Sequence, residues 1–191
     1  MNEPEMPMKM FRFGFRVALA IVVSGCAQAP PVVAVRPPAS PVSLIEAEDG
    51  HRLFIGRERE PTLIKVDSAT VGASELFVFQ RVLDPGATLG RHKHRDDEII
   101  FVHSGEVLTS LGGVDRLAAQ GSTIFVSGDA WMDVRNAGTK PATLLIIFSA
   151  PHMAEYIRAL GTAPGEPRRD LTPDFLRAIG TRHGITFAET R

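Results

Sequence analysis

The sequence predicts a small all-β barrel or antiparallel sandwich that is followed by two short helices. Three observations support this fold class. Short runs rich in Val, Ile and Phe recur between about residues 43 and 150, which is typical of strands in an all-β domain. The 17 glycines and 14 prolines of the 191-residue chain suit tight turns better than long helices. After residue 150, apolar residues are instead spaced three and four apart, as on a helix.

Composition and charge exclude several classes of protein. The formal net charge is −1, and the sequence has neither a basic stripe nor interleaved basic and aromatic residues, so we expect no nucleic-acid partner. Cys26 is the one cysteine, which excludes an intrachain disulfide framework and any cysteine-rich zinc site. The sequence also contains no recognisable phosphate-binding loop or nucleophile elbow.

The N-terminal residues 1–25 have the features of an export signal. Lys9, Arg12 and Arg16 form a basic flank, and the apolar run 17–23 follows them. Seven apolar residues are too few to span a bilayer, which takes about 20, but they are enough for the apolar region of a signal peptide. We therefore predict that residues 1–25 are a signal peptide.

A lipid anchor is predicted directly after this signal. Residues 23–26 read Val-Ser-Gly-Cys and resemble the lipobox of bacterial lipoproteins, in which the cysteine is acylated and becomes the mature N-terminus. The resemblance implies lipidation of Cys26 and attachment to a membrane through acyl chains. Ala27 stands where an aspartate would indicate retention in the inner membrane, so we expect the protein at the outer membrane, facing the periplasm.

A tether and a strand-rich domain follow the cysteine. Residues 26–42 are rich in proline, which forbids a helix and favours an extended spacer. The next domain, residues 43–150, contains turn signals such as Asp84-Pro85-Gly86 between its apolar runs. Strands are predicted at residues 53–55, 76–83, 98–102, 107–111, 123–126 and 142–148.

The C-terminal extension, residues 151–191, is predicted to contain two short helices. The first carries apolar residues at positions 153, 156, 157 and 160, and Gly161 is its expected C-cap. The second has Thr172 as its N-cap and Pro173 at its first position. We expect both helices on the exterior of the barrel, where they would cover core residues or form a homodimer contact.

The side chains that suggest chemistry lie in one stretch of the domain. His92 and His94 are two residues apart, so on a strand both would point to the same face, here the barrel interior. Glu98 opens the next predicted strand and can face the same centre. Gly86 and Gly105 allow tight turns before and after these residues. Two imidazoles and a carboxylate are ligands for one divalent transition metal such as Fe, Mn, Ni, Co or Zn.

This run resembles the first motif of the cupin family. That motif is a glycine, His-x-His after five residues, a glutamate after three more and a glycine after six more; Gly86, His92, His94, Glu98 and Gly105 occupy every position. The resemblance implies an all-β double-stranded β-helix, or jelly-roll barrel, with a metal inside it. It is well supported over residues 43–150.

The second cupin motif is only partly present. Gly121 and Asn136 fit it, whereas Ser127 and Asp129 replace its proline and second glycine, and Met132 stands where the family has a metal-binding histidine.

Three interpretations of Met132 remain open. It packs beside the metal without binding it, it coordinates through its thioether and so favours a softer metal such as Cu, or it marks a weakened, vestigial site.

A metal-dependent enzyme is the leading functional hypothesis. His92, His94 and Glu98 resemble the facial triad of non-haem Fe(II) oxygenases, with Glu98 as a catalytic base toward a small hydroxylated or carbonyl substrate. Pro151 and the Arg-His-Gly-Ile run 182–185 resemble single-domain cupins described as quercetinase-like. The alternatives are a cupin that binds or senses a small molecule without converting it, and a metal-assisted isomerase or lyase, because one fold hosts many chemistries.

The remaining histidines and the one tryptophan are predicted to have structural roles. His51, His103, His152 and His183 have no partner at ligand spacing, so we expect them at the surface or in local hydrogen bonds. Trp131 neighbours the pocket strand and is expected to pack in the core rather than to stack on a substrate.

Overall fold

The computed structural model describes residues 42–56, 59–72 and 75–188. The predicted signal peptide, Cys26 and nearly all of the tether lie outside these residues. The described residues belong to one compact unit, Pro37–Arg191. No helix in this part of the chain is long and apolar enough to cross a membrane.

The described residues form mostly strands, with two helices near the C-terminus. The strands in chain order are β1 His51–Ile55, β2 Glu60–Val66, β3 Phe77–Leu83, β4 His92–Lys93, β5 Glu98–Ser104, β6 Glu106–Leu111, β7 Val114–Ala119, β8 Thr123–Val126, β9 Met132–Arg135, β10 Ala142–Phe148 and β11 Thr186–Phe187. The helices are α1 Met153–Leu160 and α2 Pro173–Arg182. The prediction of an all-β domain with two short C-terminal helices is confirmed.

The strands form two antiparallel sheets. One contains six strands in the order β1-β2-β3-β10-β5-β8, and the other contains five in the order β11-β4-β9-β6-β7. Strands that are distant in the chain are neighbours in both sheets; β3, for example, pairs with β10, opposite Phe77 with Phe148. Buried side chains from both sheets, such as Phe79 and Val134, belong to one hydrophobic core cluster.

Alternating burial explains why the central strands form. Along β3 and β10 every second residue is buried, which is the period that turns one face of a strand toward a core. Three of the inward residues stack as aromatic rings: the centroids of Phe77 and Phe79 are 5.0 Å apart, and the Phe148 ring lies 6.4 Å from each of them. Such stacking stabilises the core beyond the burial of area.

The C-terminal extension is integrated with the barrel more closely than expected. Helix α1 buries Met153, Tyr156 and Leu160 among its inward residues. Helix α2 begins at Thr172, whose hydroxyl accepts a hydrogen bond from the backbone N–H of Phe175 at 3.2 Å. After α2 the chain returns as β11 and pairs with β4, so the extension also supplies a strand to the second sheet.

Candidate metal centre and its cavity

A cavity of about 460 Å³ lies between the barrel and the C-terminal extension. Its wall is mostly apolar and includes Phe79 and Phe148 from the first sheet and residues of both helices. This size and lining are typical of small-molecule sites. His92 and Glu98 are among its polar lining residues.

The His92 imidazole lies at the cavity wall, and one of its ring nitrogens is hydrogen-bonded to the backbone. His92 opens β4, which lies between β11 and β9, and its ring centroid is 5.8 Å from that of Phe187. The Nδ1 atom is 2.7 Å from the carbonyl oxygen of Gly90. A carbonyl only accepts hydrogen bonds, so Nδ1 carries the proton and Nε2 of the neutral ring has the free lone pair.

His94 has the same arrangement and faces Glu98 directly. Its Nδ1 donates to the carbonyl oxygen of Asp96 at 2.8 Å, and its Nε2 lies 3.2 Å from Oε2 of Glu98. Both side chains are almost fully buried, and the His94 ring meets the edge of Phe148 at 5.1 Å between centroids. Either a proton on Nε2 of His94, donated to the Glu98 carboxylate, or a bound cation would stabilise this buried contact.

The turn that connects these two residues is held by the loop before β9. The backbone N–H of Gly128 donates to Oδ1 of Asp97 at 3.0 Å, and the N–H of Asp129 donates to the carbonyl oxygen of His94 at 2.6 Å. A Cβ atom on Gly128 would lie 2.1 Å from the carbonyl oxygen of Arg95. Only glycine therefore allows this close approach.

The second cupin motif departs from its pattern without losing its backbone shape. Asp129, which replaces a glycine, has φ of 63°, a left-handed conformation that aspartate tolerates better than most residues. Asn136 is buried and donates to the carbonyl oxygens of Leu83 and Lys140, each at 2.8 Å. Asn136 thus joins the ends of β3 and β9, which is a structural role.

Met132 is buried directly beside His92. The two residues are cross-strand partners of β4 and β9, and Met132 is 1% exposed. Directly opposite residues in an antiparallel pair have side chains on the same face, with Cβ atoms about 5 Å apart. Register and burial therefore place the Met132 side chain next to that of His92. All three interpretations of this residue stay open.

The donor set fits a divalent transition metal. In the part of the chain that the structure describes, no three His, Cys, Asp or Glu side chains already converge tightly enough to form a complete site. The ring centroids of His92 and His94 are, however, 5.7 Å apart, and both rings present Nε2. Two ligands of one tetrahedral ion with bonds of about 2.1 Å are about 3.4 Å apart. The distance from His94 Nε2 to Glu98 Oε2, 3.2 Å, is close to that value and is also an ordinary hydrogen-bond distance.

The two imidazoles have opposite electrostatic environments. Burial lowers the pKa of His92 below 6.5, against smaller opposing effects of Gly90 and Glu98. Burial also lowers the pKa of His94, but the hydrogen bond and the charge of Glu98 outweigh it and raise the pKa above 6.5. His92 is thus kept neutral, as a metal ligand must be, and the His94–Glu98 pair attracts positive charge.

The cavity contains polar residues that the sequence did not reveal. Glu60 and Arg81 form a buried ion pair at 3.0 Å, and Tyr156 of α1 also lines the cavity. Arg81 lies two residues after Phe79 on a predicted strand, so its side chain is expected to point inward as well. That alternation is a signal that could have identified Arg81. Glu60 lies on a strand that was not predicted.

The other histidines lie outside the cavity. His51 and His103 are exposed, His183 contacts Tyr156 with ring centroids 5.9 Å apart, and Nε2 of His152 is 3.3 Å from Oδ2 of Asp96.

Trp131 does not line the cavity either. It is half-buried and lies outside the core cluster, so the prediction of core packing is wrong. The guanidinium of Arg91 and the ammonium of Lys93 are each 5.5 Å from its ring centre.

Comparison with known proteins supports the fold. Residues 79–148, less than half of the chain, match the family model described as Cupin domain. No curated protein sequence matches this chain. A structure from Thermus thermophilus is 28% identical, covering 51% of this chain and 88% of that one, with a TM-score of 0.43. An RmlC-like cupin from Shewanella frigidimarina NCIMB 400 is 16% identical, covering 60% and 96%, with a TM-score of 0.50.

A third similar structure is a sugar phosphate isomerase from a cupin superfamily of Silicibacter pomeroyi DSS-3. It is 21% identical and covers 56% of this chain and 76% of that one, with a TM-score of 0.49. The likeness to the Shewanella protein shows the fold, and the jelly-roll barrel expected from the sequence is confirmed. Residues 79–148 thus resemble a cupin domain, and the fold agrees with that resemblance. The quercetinase-like detail and the lipoprotein signal stay predictions.

Proposed function

We propose that this protein is a metal-dependent cupin enzyme that acts on a small hydroxylated or carbonyl compound, with dioxygenase-type chemistry favoured. The observation that carries the proposal is the 3.2 Å approach of His94 Nε2 to Glu98 Oε2 at a protected cavity. The contact joins an imidazole nitrogen to a carboxylate oxygen, and a divalent cation would replace the proton that these two atoms otherwise share. His92, which lines the same cavity, supplies the third donor.

The residues of the site have different roles in the proposed reaction. His92, His94 and Glu98 would hold the metal, while the carbonyl groups of Gly90 and Asp96 fix the imidazole orientations. When bound, such a metal would polarise substrate oxygens and, if it is iron, would activate O₂. The apolar wall excludes water from the substrate, and the Glu98 carboxylate accepts the proton of a substrate hydroxyl group.

Substitution of Glu98 tests the metal centre. Glu98→Ala removes one of three strong donors and leaves the His94 lone pair without its carboxylate, so we expect metal affinity to fall roughly tenfold or more. Metal content is measured by elemental analysis of purified protein. Glu106→Ala, on the exposed position that opens β6, is the matched control and should bind metal normally. Unchanged metal content in the Glu98 variant would contradict the assignment.

Measuring oxygen uptake distinguishes an enzyme from a protein that only binds its ligand. The metal-loaded protein is screened with flavonols, catechols and β-diketones, and consumption of O₂ is expected with at least one class. A second candidate, a non-catalytic small-molecule-binding or sensory cupin, is favoured by the methionine at the fourth ligand position. Tight ligand binding with no turnover would support that candidate. Conversion without O₂ consumption would indicate an isomerase or lyase.

We also propose that the protein is anchored in the cell envelope through Cys26. The basic flank, the apolar run and the Val-Ser-Gly-Cys sequence support this proposal. The tether would then hold the cupin domain away from the membrane, at the periplasmic side of the outer membrane.

A further inference from the structure

A second polar group lies in the same cavity, on a different part of its wall from the metal centre. Glu60 and Arg81 belong to β2 and β3, whereas Glu98 belongs to β5, and β10 separates β3 from β5 in the sheet. Neighbouring strands are about 4.8 Å apart, so β3 lies about 10 Å and β2 about 14 Å from β5. Across β10, Arg81 is level with Val102, four residues further along β5 than Glu98. An elongated ligand could contact both at once.

The ion pair is buried yet still has hydrogen-bonding capacity. The side chains of Arg81 and Glu60 are 10% and 6% exposed, and Nη2 of Arg81 donates to Oε2 of Glu60 at 3.0 Å. Within the described residues, Nε of Arg81 is buried without a hydrogen-bond partner, as is Oγ1 of Thr62. Thr62 lies directly opposite Arg81 on the neighbouring strand, so the unsatisfied groups occur together.

Stability alone does not explain such a pair. Replacing a buried ion pair by apolar residues of similar size is often neutral or stabilising, because removing two charges from water is costly. Buried polar atoms without partners add to that cost. A buried, incompletely satisfied pair that lines a cavity is therefore more consistent with ligand recognition than with support of the fold.

Tyr156 completes this part of the wall from helix α1. Its side chain lines the cavity, and burial raises the pKa of its hydroxyl, which the nearby Arg81 charge only partly offsets. The phenol therefore stays neutral and can both donate and accept a hydrogen bond.

The chemistry of these groups favours one kind of ligand. The positive charge of Arg81 is already balanced by Glu60, so a carboxylate placed here would meet a neighbouring negative charge. A neutral hydroxyl group, in contrast, can donate to the Glu60 carboxylate and accept from the Arg81 guanidinium at the same time. Hydrogen bonds to charged groups are stronger than those between neutral groups.

We propose that Glu60, Arg81 and Tyr156 form a specificity subsite for a neutral hydroxyl group, such as a phenol, at the end of the substrate remote from the metal centre. This inference rests on the proposed function, since it assumes that the other end of the substrate meets the metal. It narrows the substrate class to elongated, largely apolar compounds with a hydroxyl group at each end.

The test compares three probes built on one chelating scaffold. These are 3-hydroxyflavone and its derivatives with a hydroxyl group or a carboxylate at the 4′ position, and calorimetry gives their affinities for the metal-loaded protein. We expect the hydroxyl derivative to bind about tenfold or more tightly than the parent, and the carboxylate to bind no more tightly than the parent. Equal binding of parent and hydroxyl derivative, or no binding of any probe, would overturn the proposal.

A double variant assigns the preference to the ion pair. Glu60→Leu combined with Arg81→Met replaces both charges by apolar groups, which avoids leaving one charge buried alone. The variant should bind parent and hydroxyl derivative equally, while Tyr156→Phe should lose part of the preference. The control variant carries the same replacements in an exposed ion pair, Glu48→Leu and Arg52→Met. It should keep the preference for the hydroxyl derivative.

Measuring metal content distinguishes a failure of this inference from a failure of the proposed function. If the double variant binds metal normally but keeps the tenfold preference, the subsite assignment is wrong and the metal centre stands. If wild-type protein shows the preference but binds no metal, the subsite assignment holds and the metal centre is wrong. Melting temperatures of all variants confirm that they are folded.

Discussion

Met132 is the residue on which the identity of the proposed metal would depend. It lies opposite His92 in the second sheet and is almost fully buried. A thioether is a soft ligand, whereas a third imidazole would suit a wider range of divalent metals. The side chain at this position would therefore decide whether the proposed centre has three donors or four.

Substituting Met132 by histidine distinguishes the three interpretations. If Met132 only packs beside the metal, Met132→His should complete a four-donor set and tighten binding of Zn or Fe by about tenfold, measured by competition with a chelator. Met132→Leu keeps the volume without the sulfur and should leave affinity unchanged. Weaker binding in the leucine variant would show that the sulfur is a ligand. No binding by either variant would indicate a vestigial site.

The sequence drew attention to the proposed metal-binding residues but not to the other polar residues of the cavity. His92, His94 and Glu98 lie within seven residues, so their spacing alone suggested that they are neighbours. Glu60 and Arg81 are 21 residues apart in sequence. Their contact depends on the register of two strands, and no short-range pattern contains that information.

Helix α1 forms part of the cavity wall and is connected to the barrel by a buried carboxylate. Asp67 follows β2 and is 1% exposed. Its Oδ1 accepts hydrogen bonds from the N–H groups of Ala69 and Thr70 at 2.9 and 2.7 Å, and its Oδ2 pairs with Arg158 of α1. The position of α1 therefore depends on an ionised Asp67.

This connection makes stability depend on pH. Burial raises the pKa of Asp67, but its hydrogen bonds and the Arg158 charge outweigh burial and bring the pKa below 3.8. The ionised carboxylate thus stabilises the fold above the unfolded-state pKa, and this contribution is lost as the pH falls through the folded-state pKa.

Asp67→Asn should lower the free energy of unfolding by about 1–3 kcal/mol near neutral pH, since it weakens several hydrogen bonds to a charged group. The difference from wild type should shrink below about pH 3.8, where wild type becomes protonated as well. Urea denaturation at about pH 7 and about pH 3 measures the difference in the free energy of unfolding between variant and wild type at each pH. Asp174→Asn, in the exposed pair with Arg177, is the control and should change stability little. A difference that stays constant with pH would contradict this role.

Burial explains only part of which strands could be predicted, since β2 and β9 were not predicted although both contain buried residues. The six predicted strands correspond to β1, β3, β5, β6, β8 and β10. Strand β7 was not predicted because its residues are exposed except Ala118. Strands β4 and β11 have only two residues each and form through pairing with one another, so local sequence contains little signal for them.

At the scale of the whole molecule, the boundary predicted at residue 150 separates two segments that share one cavity. The barrel supplies the proposed metal-binding residues, and the extension supplies Tyr156, apolar residues of both helices and the strand beside His92. The fold class followed from periodicity and from the cupin motif. The return of the tail to the second sheet could not be predicted, because it depends on long-range packing.

The proposed lipid anchor would determine where the whole molecule is located. Cys26→Ser removes the thiol to which acyl chains would be attached, so the full-length chain should move from the membrane fraction to the soluble fraction. Fractionation and metabolic labelling with palmitate measure this change. Ser24→Ala keeps a small residue before the cysteine and should still be acylated. Normal labelling of the Cys26 variant would contradict the lipoprotein prediction.

The position of Trp131 has a practical consequence. The chain has a single tryptophan, and its indole ring lies between the side chains of Arg91 and Lys93, next in sequence to Met132. Tryptophan emission from this protein therefore originates at one place, next in sequence to the strand that pairs with His92. If the proposed metal binds there, a change in this emission would report it in the unlabelled protein, without an engineered fluorophore.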